Sequence, residues 1–204
     1  EMLLSQSKAS LLIANRQLQI HNLSTDAFGG KMKMSANYNS TDTIQPSLQM
    51  KINLDDVVFK QIFSQVETLR KYVPIFEKAS GEFSAGLLLN TKMGAGMSPL
   101  LQTLNGDGSL SAGSISIDNL KVLETILRAV KKNQVFPVEI DEAGMTFEFV
   151  DGKMITKPFS LKLWDTWLTL SGITGYDKTI NYNGKIQLPD KYKFGRLSVF
   201  NVSI

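Results

Sequence analysis

Most of this chain alternates polar and apolar residues with a period of two, and this pattern restricts the fold more than any other feature. The alternating runs include Gln17-Leu-Gln-Ile-His-Asn-Leu, Lys31-Met-Lys-Met-Ser-Ala-Asn-Tyr and Met145-Thr-Phe-Glu-Phe-Val. Successive side chains of a strand point to opposite faces of a sheet, so each run predicts a strand with one apolar and one polar face. Antiparallel sheets tolerate one hydrated face, whereas parallel sheets are buried on both. The alternation therefore predicts an antiparallel sheet.

The part of the chain after Gly144 is predicted to be a meander of hairpins. Asp151-Gly152 stands between two alternating runs. This pair is a strong hairpin signal, because a type I′ turn needs positive φ at both central residues. Further alternating runs follow from Trp167 and from Thr179, and Pro189 ends the series.

Two segments depart from this period and predict amphipathic helices. Apolar residues at spacings of three and four mark the segments Val58–Phe76 and Leu120–Val130. Asp55, or its neighbour Asp56, and Asp118 precede them as the predicted N-caps. Pro74 is expected to end the first helix after Tyr72, since proline cannot continue a helix. The predicted fold class is α+β: a mostly antiparallel, strongly curved sheet with two main amphipathic helices packed on it.

The same transition from strand to helix is predicted twice. Ile52-Asn-Leu-Asp-Asp-Val aligns with Ile115-Ser-Ile-Asp-Asn-Leu. We therefore expect one segment over residues 1–204 that contains up to two sheet-plus-helix units, 1–80 and 81–204. Because the first residue is Glu1 rather than Met, we expect the chain to be a piece of a longer protein, with any signal or anchor outside it.

Composition excludes several functions. The net charge is +3, and the Lys and Arg residues are scattered, so nucleic acid is not an expected partner. The absence of Cys excludes disulfides and thiolate metal sites. No metal motif, nucleophile elbow or phosphate loop is present, and His21 is predicted to be a solvent-facing strand residue. We expect no enzyme activity, no catalytic residues, no metal and no cofactor.

Several motifs, in their order along the chain, resemble one protein family. They are Leu18-Gln-Ile-His-Asn-Leu, Phe28-Gly-Gly-Lys-Met, Ile52-Asn-Leu-Asp-Asp-Val, Ala79-Ser-Gly-Glu-Phe-Ser, Leu101-Gln-Thr-Leu-Asn-Gly, Phe149-Val-Asp-Gly-Lys-Met and Leu170-Ser-Gly-Ile-Thr-Gly-Tyr-Asp. Their order and spacing, over roughly residues 15 to 190, resemble the C-terminal region of AsmA-like proteins of the AsmA and TamB type. The stretch after Pro189 does not match this pattern.

The resemblance implies a role in the bacterial cell envelope. AsmA-like proteins are typically anchored in the inner membrane by an N-terminal helix, lie mainly in the periplasm and contribute to outer-membrane biogenesis. Members of the wider group form curved sheets whose apolar face carries phospholipids. The resemblance thus implies a periplasmic segment of a membrane-anchored protein that handles phospholipid or another acyl-chain lipid, with other envelope proteins as partners. It transfers no catalytic residues.

An apolar sheet face that binds acyl chains needs lining residues, and the C-terminal meander supplies the candidates. The predicted lining is Met145, Phe147, Phe149, Phe159, Leu161, Leu163, Leu168, Leu170, Ile180 and Tyr182. The same residues could instead meet the helices in a closed core. The eight methionines allow the same two interpretations, because flexible thioethers suit both a lipid-binding surface and a core.

Two other functions remain open from the sequence. The chain could be a docking module that supports outer-membrane protein assembly without lipid, with an exposed sheet edge that recruits a partner strand. A hydrolase or carbohydrate-binding domain would need converging carboxylates and aromatic residues, and the sequence shows none in register.

Overall fold

The computed structural model describes residues 4–66, 69–118, 137–163, 166–177, 179–187 and 198–203. Eleven strands form a single antiparallel sheet in which each strand pairs with its neighbours in chain order. The strands are β1 Ser5–Ala14, β2 Gln17–Ala27, β3 Gly30–Asn39, β4 Ser47–Val58, β5 Ala79–Lys92, β6 Asn105–Ile117, β7 Val138–Val150, β8 Lys153–Leu163, β9 Thr166–Gly175, β10 Ile180–Gln187 and β11 Ser198–Ser203. The predicted antiparallel sheet is confirmed, and both predicted units contribute strands to it.

Helical structure among the described residues is short and lies mainly between β4 and β5. It comprises helix α1 Phe59–Gln65, helix α2 Leu69–Tyr72 and a 3₁₀ helix at Pro74–Lys78. We call residues 59–78 the strap. Two further 3₁₀ turns, Ala95–Met97 and Leu101–Thr103, lie between β5 and β6. As predicted, α-helical structure stops at Tyr72. Val73 follows, and Pro74 then takes the first position of the 3₁₀ helix.

The predicted α+β class with two main amphipathic helices is wrong. The described part of the chain is nearly all antiparallel sheet, and α1 has only seven residues. The segment Val58–Phe76 does contain helical turns, but they do not form one helix. Helix α1 ends before Val66, whose φ of −112° and ψ of 87° are not helical. The second predicted helix, Leu120–Val130, lies outside the described residues.

The predicted cap at Asp55 or Asp56 is also wrong. Strand β4 continues through both residues, and Val58 precedes α1 without a side-chain cap hydrogen bond. Cross-strand pairing of Asp55 with Lys31 keeps the backbone extended there. Asp118 follows β6 directly, and its backbone N–H donates to the carbonyl oxygen of Lys78. Whether Asp118 caps a helix concerns residues outside the described ranges.

Bulges bend the sheet near the strap. The pairing register shifts between Leu54 and Val57 in β4 and between Gly81 and Ser84 in β5. Positive φ values accompany these irregularities at Asp56 (52°), Gly81 (111°) and, in β7, Glu142 (56°). A bulge adds a residue to one strand, bends it and increases its twist. The bulged strands therefore bend at the end from which the strap emerges.

Two tight turns show why the sequence folds as it does. Asp151 (φ 48°) and Gly152 (φ 77°) both adopt positive φ between β7 and β8, which confirms the predicted hairpin. Between β2 and β3, Gly29 has φ 82°, and a Cβ atom on Gly30 would lie 2.4 Å from the carbonyl oxygens of Asp55 and Asp56. Only glycine allows this turn to pack against the end of β4.

One face of the sheet carries the core, and we call it the inner face. It includes Val57, Phe83, Ile140, Met145 and Leu168, all buried. The opposite, outer face carries charged and small polar residues in the same strands. The core lies between the inner face and the strap.

Candidate functional site

The strap lies on the inner face of the sheet and contacts β5, β7 and β9. Phe59 is fully buried, and its ring centroid lies 4.4 Å from that of Phe83 on β5 and 5.4 Å from that of Phe76. Helix α2 contacts β9 farther along the sheet. Aromatic pairs of this kind stabilise the packing beyond their buried area. Phe59 and Phe76, from the two ends of the strap, therefore pack together, and Phe59 holds them against Phe83 of the sheet.

Tyr72 fixes the middle of the strap to the opposite end of the sheet. Its ring meets Phe149 edge-on, with centroids 5.1 Å apart, and its hydroxyl donates to the carbonyl oxygen of Gly152 over 3.1 Å. Burial raises the pKa of Tyr72 to about 12, with a smaller contribution from Tyr176. The neutral phenol is thus the form that the folded chain favours.

The ten residues predicted to line a lipid groove lie together on the inner face of β7–β10. The cross-strand pairs Phe159–Leu170, Leu161–Leu168 and Tyr182–Gly172 show their shared side. Seven of the ten are buried: Met145, Phe147, Phe149, Leu161, Leu163, Leu168 and Leu170. Phe159, Ile180 and Tyr182 are partly buried. Most of this predicted lining is therefore core that an acyl chain cannot reach without opening the structure.

An uncovered apolar surface lies instead on the inner face of β1–β4, at the end distant from α1. Two rows of cross-strand partners form it. One row runs Leu11, Ile20, Ala36 and Met50, and the other runs Ile13, Leu18, Tyr38 and Leu48. With Met34, which pairs with Ile52 beside the first row, we call these nine residues the open patch.

Burial distinguishes the open patch from the rest of the inner face. Leu11 is 67% exposed and Ile13 is 79% exposed. The other seven residues are partly buried, and none belongs to, or packs against, the core cluster that the described residues form. With neighbouring strands about 4.8 Å apart, four strands make the patch about 14 Å wide. Contiguous apolar surface of this kind on a folded chain generally marks a binding site.

The methionines divide between the two interpretations that the sequence left open. Met32, Met93, Met145 and Met154 are buried. Met34 and Met50 lie partly buried in the open patch. Flexible thioethers adapt to irregular apolar partners, so these two suit a surface that accepts a variable ligand.

The open patch was not among the predicted lipid-binding residues, although its strands show the alternation that marks an apolar face. Residues 17–23 and 31–38 alternate as clearly as the C-terminal strands do. Alternation identifies an apolar face but does not show which part of that face another element covers. The path of the strap, which decides this, depends on contacts as distant in sequence as Tyr72 and Gly152.

Polar groups border the open patch at the turns. Arg16 is exposed in the β1–β2 turn, and its carbonyl oxygen accepts hydrogen bonds from the backbone N–H and the hydroxyl of Ser40, each 2.9 Å long. In the β3–β4 loop, backbone N–H groups of Gln45 and Ile44 hold the pKa of the Asp42 carboxyl below its usual value. The apolar rows thus end at an ordered, charged rim.

The outer face carries a second feature, a shallow groove of ≈ 470 Å³ above the bulges. Asp56, Glu82 and Glu142 line it, together with small residues such as Ser84 and Gly144. The hydroxyl of Ser84 donates to the Asp56 carboxylate over 3.2 Å. The sequence placed Asp56 and Glu142 in unrelated segments, and the bulges bring them to one groove.

The described residues contain no group of three or more His, Cys, Asp or Glu side chains arranged to hold a metal ion. His21 is exposed, as predicted, and its Nε2 lies 3.1 Å from Oε1 of Gln19. No helix in the described ranges combines the length and apolarity needed to cross a bilayer.

Comparisons with known proteins provide no further guide to function. No protein-family model matches the chain, and neither does any curated protein or solved structure with which it was compared. The function is therefore inferred from the sheet, the strap and the distribution of burial.

Proposed function

We propose that this chain is a non-enzymatic, lipid-handling segment that binds acyl chains on the open patch. The observation that carries the proposal is the contrast within a single sheet face. The inner face of β7–β9 is largely buried, and the strap contacts it at Phe149 and at β9, while the inner face of β1–β4 keeps nine apolar residues outside the core. An uncovered apolar surface next to a covered one is what a chain that carries an apolar ligand requires.

The proposed binding is driven by the burial of hydrocarbon. Each methylene removed from water contributes about 0.8 kcal/mol. The side chains of the open patch form two parallel rows across four strands, so an extended hydrocarbon tail contacts several of them at once. This attraction is not directional, which allows a chain to slide along the rows without breaking specific bonds.

The chemistry of the open patch favours an acyl chain over a polar ligand. Tyr38 supplies the single hydroxyl among the nine residues, and none of them is charged. Arg16 lies in the turn beside the Ile13–Leu18 pair, where it is exposed to solvent. An anionic head group placed at that rim would remain in water and close to a cation.

The strap defines where the proposed site ends. Its aromatic contacts with Phe83 and Phe149 occupy the inner face beyond β4, so a bound chain stops there. On this proposal lipid covers the inner face of β1–β4 as Tyr72 of the strap covers Phe149 on β7. Release of the strap would extend the apolar surface toward the buried residues that the sequence predicted as lining.

The cellular setting of the proposal comes from the resemblance to AsmA-like proteins. On that basis the cargo is phospholipid, the location is periplasmic, and an anchor outside this chain holds the protein in the inner membrane. The biological process would be outer-membrane biogenesis. The structural support for this setting is the apolar surface of the open patch.

Lipid binding can be tested with variants in one strand and a control in its neighbour. Leu48→Gln and Met50→Gln place amides in the open patch, whereas Leu88→Gln changes an exposed residue, 54% accessible, on the outer face of β5. We expect the unaltered chain to bind a fluorescent phospholipid in detergent-free buffer. Each patch variant should weaken binding about thirtyfold, since burying such a side chain is worth about 2 kcal/mol and each 1.4 kcal/mol is about a tenfold change. Absence of binding, or an equal loss in Leu88→Gln, would refute the proposal.

A further inference from the structure

Strand β1 is a long edge strand that the other described residues leave uncovered. Among the described residues it pairs with β2 alone, and all ten of its residues are exposed. Its far side therefore presents unpaired backbone N–H and C=O groups. Natural proteins usually protect such an edge with charges, proline, bulges or a covering loop.

The two halves of β1 differ in this protection. In the first half the register shifts at Lys8 and again before Ser10, and Gln6 has a positive φ of 53°. From Ser10 to Ala14 each residue pairs with β2 in unbroken register. This second half contains Leu11, Leu12 and Ile13 and has neither charge nor proline. The edge is thus regular and unprotected over five residues.

The charges around this stretch are arranged symmetrically. Lys8 precedes it and Arg16 follows it, and both are exposed. No acidic residue lies between them, and residues 9–15 carry no charge at all. A strand rises about 3.3 Å per residue, so Lys8 lies about 20 Å along the edge from Ala14, where the strand ends and the turn that contains Arg16 begins. A partner strand of matching length would meet a cation near each end.

We propose that β1 is the acceptor edge for an extended polypeptide segment with alternating apolar residues and a carboxylate near each end. The free backbone groups determine that the occupant is a strand, because main-chain hydrogen bonds provide the affinity in such pairing. Leu11 and Ile13 determine that every second side chain of the occupant is apolar, since those side chains would continue the two rows of the open patch. The positive charges of Lys8 and Arg16 favour an occupant with a carboxylate near each end.

This site is separate from the lipid proposal. Pairing at β1 uses the backbone edge, whereas acyl binding uses the inner face of β1–β4. The occupant would add a twelfth strand and place its apolar side chains beside Leu11 and Ile13, which are the most exposed members of the open patch. Leu11 and Ile13 contribute to both, so the two proposals are separated by whether binding depends on the backbone edge and not by substitutions at these two residues.

The test uses a labelled synthetic peptide, Glu-Thr-Val-Thr-Val-Thr-Val-Thr-Glu with blocked ends, and fluorescence anisotropy. We expect saturable binding to the unaltered chain. Ile13→Lys should weaken it at least tenfold, because a lysine on an edge disfavours pairing. Leu88→Lys, at an exposed site away from the edge, should leave it unchanged. A peptide with Lys in place of both Glu residues should bind more weakly.

N-methylation separates backbone pairing from simple apolar adsorption. One peptide carries N-methyl groups on the valines and another on the threonines, so one of the two loses the N–H groups that face β1. We expect one methylated peptide to lose binding and the other to keep it. Equal binding of both, or no saturable binding of the parent peptide, would overturn the proposal. Sedimentation analysis provides a further test. A dimer that Ile13→Lys dissociates but the peptide does not would also overturn the proposal, because the edge would then pair with a second copy of the chain. Circular dichroism confirms that each variant folds.

Discussion

The hydroxyl of Tyr72 donates to the carbonyl oxygen of Gly152 over 3.1 Å and thereby joins residues 80 apart in sequence. Gly152 lies in the β7–β8 turn, and Tyr72 ends the helix that crosses toward it. Together with the contact between the Tyr72 ring and Phe149, this bond fixes the middle of the strap over the inner face, and Phe59 attaches the start of the strap to Phe83. The extent of the covered surface, and hence of the open patch, depends on it.

Removal of this hydroxyl should destabilise the fold without disturbing its packing. Tyr72→Phe keeps the ring against Phe149 but leaves a buried carbonyl without its donor. We expect the free energy of unfolding to fall by about 1 kcal/mol, as measured by urea denaturation. An unchanged unfolding midpoint would mean that the hydrogen bond does not hold the strap.

The same phenol should make stability depend on alkaline pH. The ordinary pKa of tyrosine is about 10, and burial raises that of Tyr72 to about 12. The unfolded chain therefore releases this proton first. Its contribution to stability is complete below about pH 10 and is lost as pH rises through about 12. Urea denaturation at a series of pH values should show a steeper alkaline decline in the unaltered chain than in Tyr72→Phe. Parallel declines would contradict the assignment.

Phe59 is expected to be the most costly residue of the strap to truncate. It is fully buried and contacts three other rings, Phe63, Phe76 and Phe83. Phe59→Ala should lower the free energy of unfolding by about 3–5 kcal/mol, because it leaves a cavity where rings now pack. Leu88→Ala, at an exposed site, should change it by less than about 0.5 kcal/mol. Similar effects of the two variants would show that the strap is not part of the cooperative core.

Substitutions at two glycines, Gly30 and Gly113, provide a test and a matched control for the turn that packs against β4. A Cβ on Gly30 would lie 2.4 Å from two backbone oxygens, whereas a Cβ on Gly113 would meet nothing within 4 Å. Gly30→Ala should destabilise the chain by about 1–3 kcal/mol, since backbone must move to relieve the clash. Gly113→Ala should be neutral or slightly stabilising. Thermal unfolding monitored by circular dichroism compares the two, and the reverse order would contradict the described turn.

Much of the sheet could be predicted from sequence, because alternation and turn chemistry are local. The pair Asp151-Gly152 is an example, since its positive φ values follow from its residue types. The error at Asp55 and Asp56 arose because both are good cap residues in isolation. Pairing with β3 and β5 overrides this preference and carries β4 on to Val58. Local preference is weak when a strand can continue its hydrogen bonding.

The candidate site could be predicted only in part, for a related reason. The sequence showed an apolar face but could not show that Leu163 and Leu168 are buried in the core while Leu48 and Met50 remain outside it. Such selection follows from long-range contacts, among them those of Phe59 and Tyr72. Both halves of the sheet have the same period and similar residues, so their difference appears only in the folded chain.

The central claim is that lipid contacts the open patch and not the buried C-terminal face. Photocrosslinking in intact cells tests it most directly, with benzoylphenylalanine placed at Met50, at Leu168 or at Leu88 in separate variants. Mass spectrometry of the purified chain then detects covalent phospholipid. We predict adducts at position 50 and none at the buried position 168 or the outer-face position 88. Adducts at 168 without adducts at 50, or no adduct at any position, would contradict the account.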